Sequence, residues 1–268
     1  CYWTFTGAVF LLFLDELGLP KSQIGGLLSL FPFCHVLALG FAPVATRWGW
    51  RRVFLIAYGL RKCVLSLLLL VPWVLGRWGQ YTAVVFLFAV IIVFALLRAI
   101  AETGYYPWCQ EFMPNSLRGK YSGQVQILST VGGALAIWLA GVALGHGQGL
   151  GRYLWLIGLG CFLGFLGVLA MMALPGGGPR PVAEGFAGHR RHLVAAVSDG
   201  NFREYLLATG AVTLGSVLLL AFLPLYIKQQ LAVPSGIVVT LEVAWLAGAA
   251  LSGWLLGRAA DRVGSRPV

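Results

Sequence analysis

Apolar residues in this chain gather into runs of about 20, separated by short segments holding Gly, Pro and charged side chains. A run of that length, coiled as a helix, crosses a hydrocarbon core of about 30 Å. Eight such spans are predicted, near residues 1–17, 23–46, 53–76, 81–108, 121–144, 153–175, 204–227 and 237–257. Gly18 to Pro20, Gly76 to Gly79, Gly145 to Gly151 and Ala232 to Gly236 punctuate the connections. Ten-residue segments of alternating polarity are absent, which argues against a barrel and for an all-α, polytopic membrane protein.

The connections alternate in charge. One set holds Arg47, Arg51, Arg52, Arg118, Lys120, Arg180, Arg190, Arg191, Arg203, Arg258, Arg262 and Arg266; the other holds only Lys21, Arg77, Arg152 and Lys228. Cytoplasmic connections collect Lys and Arg, so the first set is expected inside, with the N-terminal side of Cys1 cytoplasmic and the whole multi-pass in a plasma (inner) membrane. The same rule absorbs the net charge of +10 without a nucleic-acid partner. Composition agrees, with 59% hydrophobic and only 10% charged residues where soluble chains carry about a quarter. Cys1 falls inside an apolar run without a basic n-region, and Val268 stops where another span should begin, so the sequence reads as a fragment covering roughly spans 1–8.

The longest connection, 176–203, begins Gly-Gly-Gly-Pro and becomes basic through His189-Arg-Arg-His192. It reads as a flexible cytoplasmic linker between an N-terminal six-span bundle, 1–175, and the start of a C-terminal bundle, 204–268. The His189–His192 spacing lacks a further metal ligand nearby. Cys1, Cys34, Cys63, Cys109 and Cys161 show no metal spacing and read as small residues in or near spans, without a disulfide role.

An internal repeat supports the division. Pro20 precedes a span that leads to Arg47-Trp-Gly49-Trp-Arg51-Arg52; Pro234 precedes one that leads to Gly257-Arg-Ala-Ala-Asp261-Arg262-Val-Gly264-Ser-Arg266. The Pro-to-Gly distances are 29 and 30 residues, and the copies lie about 215 apart. Gly257 allows close helix approach, Gly264 permits a φ > 0 reversal, and Asp261 can pair with an Arg or cap a neighbouring helix N-terminus. In the first copy Thr46 stands where Asp belongs and Ala42 where Gly belongs, leaving Arg47, Arg51 and Arg52. Glu111 could supply the missing charge, and a contact with Arg47, Arg51 or Arg52 is expected.

The 257–266 string resembles the signature loop G-x-x-x-D-R-x-G-x-R of the major facilitator superfamily. The stretch Trp108-Cys-Gln-Glu111-Phe-Met-Pro114-Asn-Ser-Leu-Arg118-Gly resembles that superfamily's loop between the fourth and fifth spans. The resemblance implies parallel six-helix halves, the second truncated here, and a loop that latches the halves to hold one side closed. A merely basic topology loop is the other reading. The G-P-x-x-G-G string of drug–proton antiporters in that superfamily is missing from the fifth span, which lowers that expectation and leaves efflux open.

Charges within spans cost several kcal/mol unless paired or facing a cavity. Arg98 and Glu102 stand four apart on one helix face, roughly 22 Å below the external end of their span. They read either as a gating or coupling pair or as a local structural ion pair. In the resembled superfamily an Arg in this region is linked to proton coupling, although Gly104 falls two residues later than its usual R-x-x-x-G. Arg61 and Lys62 must lie inside the third span; either one faces protein or both snorkel to the cytoplasm. Glu242 could take a proton or a cationic substrate, or serve as an outer-rim structural carboxylate. Asp15 and Glu16 read as a solvated helix end.

No Walker string, zinc signature or nucleophile elbow is present, so no enzyme activity and no cofactor are expected. The implied function is secondary transport of a small solute by alternating access, with proton symport as one form of it, in a monomer. A non-transporting solute sensor on the same fold is the alternative.

Overall fold

Ala8 through Leu14 are apolar without a break, and each of them is buried, as befits a helix that is hydrophobic all round. They form most of α1 (Ala8–Glu16). The computed structural model describes residues 7–113, 118–145, 149–179 and 186–263; within these, the side chains at 32, 37–39, 118–120, 122–123, 186–187, 217–218, 220–221, 249 and 253–263 are outside the description. Gly18, at φ +75, turns the chain after α1, and Pro20 starts α2 (Lys21–Ala38). A proline is well suited here because the first helical N–H groups have no intrahelical acceptor. The Pro20 carbonyl accepts from the N–H groups of Gln23 at 2.9 Å and Ile24 at 3.1 Å.

A 3₁₀ turn, Leu39–Phe41, leads into α3 (Ala42–Trp48). Gly49 follows at φ +93 and its N–H donates to Ala45 O at 3.1 Å. Then come α4 (Trp50–Ser66), a second 3₁₀ turn at Leu67–Leu70, and α5 (Val71–Phe112). Gly79, at φ +79, breaks α5 and lets the chain fold back, so α4 packs along the later part of α5. The remaining helices are α6 (Arg118–Gly145), α7 (Gly151–Met172), α8 (Phe186–Ser198), α9 (Gly200–Gln230) and α10 (Ser235–Val263). No strand occurs among the described residues.

Four stretches among the described residues are long and apolar enough to cross a membrane: Trp50–Phe112, Gln124–Gly145, Gly151–Met172 and Ser235–Ser252. The first, of 63 residues, holds the expected third and fourth spans joined through the Gly79 break. The other three fall on the expected fifth, sixth and eighth spans, while α1, α2 with α3, and α9 lie on the first, second and seventh.

The contacts divide into two compact units that are not consecutive in the chain. Among the described residues one comprises 18–113, 157–179 and 186–223; the other comprises 7–17, 118–145, 149–156 and 224–263. In the first unit Phe54, Ala57, Ala101 and Trp108 form a buried cluster between α4 and α5. Phe54 is stacked on Tyr58 at 5.0 Å and lies 5.6 Å from Trp108, between ring centroids. Gly104 permits the close crossing: a Cβ there would stand 2.7 Å from Trp50 O. In the second unit α6 and α10 approach closely at Gly141 and Gly236, where a Cβ on Gly236 would stand 2.6 Å from Gly141 O.

The connection expected to be flexible is structured in two places. Residues 174–179 dock on the first unit: Trp108 Nε1 donates to Pro175 O at 2.8 Å and Arg51 N to Gly177 O at 3.2 Å. Gly176 and Gly177, at φ +86 and +72, shape this turn, and a Cβ on Gly177 would collide with Arg51. Further on, Phe186–Ser198 is helical. No proline falls between Pro181 and Pro224, and this stretch supplies Ala, Leu and Arg, which propagate a helix well.

Candidate functional site

In the first unit, α2, α4 and α5 bring ionisable side chains together amid apolar surroundings. Arg98 and Glu102 share a face of α5, as four-residue spacing requires, and Arg98 Nε donates to Glu102 Oε1 at 2.9 Å. The second carboxylate oxygen meets α2: His35 Nε2 lies 2.8 Å from Glu102 Oε2. The other ring nitrogen, Nδ1, lies 2.7 Å from the carbonyl oxygen of Phe31, one turn back on α2. A carbonyl only accepts, so Nδ1 must carry a proton and donate. That leaves two ways to bond Nε2 to Oε2: an imidazolium donating to a carboxylate, or a neutral imidazole accepting from a carboxylic acid. Each holds one proton more than a neutral histidine beside an ionised glutamate.

Arg61 and Lys62 lie on α4 and are both buried, at 8% and 2% exposure. This departs from the expectation that one or both would snorkel. The cause is the aromatic lining: Tyr58, one turn earlier, places its ring centroid 4.3 Å from Arg61 Cζ and 4.9 Å from Lys62 Nζ. Phe94 of α5 adds a second ring 5.4 Å from Arg61 Cζ. Arg61 Nε is buried and has no hydrogen-bond partner among the described residues.

The expected gate residues are placed unevenly. Arg47 and Arg52 are exposed near the α3–α4 turn, and Gly49 packs so tightly that a Cβ would stand 2.9 Å from Gly177 O. Arg51 also donates from its guanidinium to Met172 O. Glu111 borders Gly176, where a Cβ would stand 3.8 Å from the carboxylate, while Arg51 borders Gly177; the two thus flank one turn. Arg118 begins α6 and Gly257, Asp261 and Arg262 lie on α10, with their side chains outside the description. Pro114, Arg180, Gly264 and Arg266 lie outside the described residues.

A second charged group belongs to the other unit. Lys228 Nζ lies 2.6 Å from Asp15 Oδ2 and 3.7 Å from Glu16 Oε2, and Gln229 Nε2 donates to Asp15 Oδ1 at 2.8 Å. Arg152 reaches Glu16 at 4.0 Å. The end of α1 is thus tied by ion pairs, not merely solvated as expected, because α9 delivers Lys228 across a long stretch of chain. Glu242 Oε1 accepts from the Ala8 N–H at 2.6 Å, at the start of α1, where the helix dipole favours an anion. Its Oε2 is buried without a partner among the described residues.

Among the described residues no group of three or more His, Cys, Asp or Glu side chains could hold a metal. Cys34, Cys109 and Cys161 are buried and Cys63 is exposed. His35 and Tyr58 went unread in the sequence. The signal for His35 was a lone polar residue within the apolar run Phe31-Pro-Phe-Cys-His35-Val; for Tyr58 it was the one-turn spacing to Arg61 and Lys62. A family model described as Major Facilitator Superfamily matches residues 1–268, the whole chain. No curated protein matches it.

Proposed function

The chain belongs to the major facilitator superfamily, and on that premise we propose that it is a secondary active transporter driven by a proton gradient, with His35, Glu102 and Arg98 as its coupling group. It is an integral multi-pass membrane protein and a transporter of that superfamily; the solute, the coupling and the gate are the proposed part. The observation that carries the coupling is the placement of His35, with Nε2 2.8 Å from Glu102 Oε2 and Nδ1 2.7 Å from Phe31 O. Imidazole takes up and releases protons under physiological conditions, and α2 is tied to α5 at this point by that bond. With the proton present, His35 and Arg98 share the two oxygens of Glu102. When it leaves, the bond to His35 is lost and Glu102 remains with Arg98. A proton thereby biases the α2–α5 contact between two arrangements, the element that alternating access needs.

Gating is assigned to the repeated loops. Asp261, Arg262, Gly257, Gly264 and Arg266 form the latch in the second copy. Arg47, Gly49, Arg51 and Arg52, with Glu111 and Arg118, form its counterpart in the first. The arginine-rich connections face the cytoplasm of a plasma membrane, and the protein works as a monomer on a small solute. Glu242 is a further proton-binding candidate through its unpartnered Oε2.

The test is solute uptake into proteoliposomes under an imposed proton gradient. Glu102→Gln and His35→Gln are expected to abolish gradient-driven accumulation while leaving solute counterflow at equal concentrations. Uptake unaffected by collapsing the gradient would remove the coupling role. Solute binding without any flux would favour a sensor on the same fold.

A further inference from the structure

The charges of spans two to four do not balance. Between Lys21 and Trp108 the sequence contains a single acidic residue, Glu102, and both of its oxygens are engaged by Arg98 and His35. The same unit buries two more cations, Arg61 and Lys62, on adjacent positions of α4. A buried charge is retained only when something compensates it, and an aromatic ring does so in part. Tyr58 and Phe94 supply that part for Arg61, yet its Nε still points to no acceptor among the described residues. A guanidinium held against ring faces with its Nε–H unpartnered can turn that donor to an anionic acceptor.

We propose that Arg61, with Lys62 beside it on α4, forms an anion site that takes a carboxylate, phosphate or sulfate group. This deepens the transporter reading and rests on it for one point, that the anion is carried by the transported solute. Arg61 is the anchoring fork. Lys62 adds a compact second charge against the same Tyr58 ring, and both oxygens of Glu102 are engaged by its own two partners. The Arg98–Glu102–His35 group thereby has a second task. It stops an internal carboxylate from occupying the place of the external one.

The experiment uses the full chain in lipid discs and in proteoliposomes, with inorganic phosphate, sulfate and acetate as probes against chloride at constant ionic strength. The anions are expected to raise the unfolding temperature in a saturable manner. Arg61→Met should weaken that response at least tenfold, Arg61→Lys about threefold, and Arg190→Gln on α8 should leave it unchanged. Arg61→Met is expected to fold, because a buried charge replaced by an apolar chain of similar length is often tolerated or stabilising. No anion-dependent shift in the wild type, or a shift that Arg61→Met preserves, overturns the proposal. Uptake of labelled anion that is lost in Arg61→Met identifies the anion as cargo; Arg61-dependent stabilisation alongside flux of an uncharged solute identifies a resident ion and overturns the cargo assignment. Flux that ignores both the anions and Arg61→Met removes the anion site and leaves transport standing. Arg61-dependent anion binding with no flux of any solute leaves the site and removes transport.

Discussion

Replacing Gly104 with alanine sets two effects of opposite sign against each other. Alanine is favoured over glycine inside a helix by about 1 kcal/mol. The new Cβ, however, would stand 2.7 Å from Trp50 O and 3.3 Å from Phe54 N, and these are backbone atoms of α4 that cannot rotate aside. To reach ordinary contact near 3.4 Å, α4 must retreat by about 0.7 Å from the face of α5. Overpacking of this kind costs about 1–3 kcal/mol, so the net change is a loss of up to about 2 kcal/mol. Gly167 on α7 is the control, because a Cβ there meets nothing within 4 Å and only the helix preference acts. Denaturant unfolding in lipid discs, followed by tryptophan fluorescence, reports both variants. Gly104→Ala is expected to unfold at lower denaturant than wild type and Gly167→Ala at equal or higher. Equal midpoints for the two variants would refute the reasoning, since the steric difference between the sites would then have no energetic weight.

Trp108→Phe keeps an aromatic ring near Phe54 but loses the donor to Pro175 O; a cost of about 1 kcal/mol is expected, with faster proteolysis at residues 174–179 as the local readout. Gly236→Ala should loosen the α6–α10 crossing by about 1–3 kcal/mol, measured as a fall in unfolding temperature, because the Cβ would stand 2.6 Å from Gly141 O. Lys228→Gln should cost less than about 1 kcal/mol and the cost should shrink in high salt, since the pair with Asp15 is partly exposed; a double-mutant cycle with Asp15→Asn checks it. A second cycle, His35→Gln with Glu102→Gln, should give a coupling of about 0.5–3 kcal/mol, and additivity there would deny the α2–α5 tie.

Residues close in sequence gave up their relations readily. The Arg98–Glu102 pair follows from helical spacing. Contacts across the chain did not. His35 and Glu102 are separated by 67 residues, and Asp15 and Lys228 by 213, so the partner of each depends on which helix faces which, and periodicity is silent on that. Arg61 and Lys62 show a different limit. Hydropathy places them in the span, but whether they snorkel or turn inward is decided by rings on two helices, and only Tyr58 is near in sequence. The helix Phe186–Ser198 was hidden by the glycine and proline just before it, which colour a composition window without governing the residues beyond.

Pro20 and Pro234 begin their helices with the same pair of backbone bonds, from the third and fourth residues onward: Gln23 and Ile24 in one copy, Ile237 and Val238 in the other. Those bonds use only main-chain atoms, so the start of the helix is indifferent to the side chains that follow it. A segment begun in this way can carry Thr46 in one copy and Asp261 in the other while both helices start alike. Inheritance of shape and inheritance of chemistry are thereby separated.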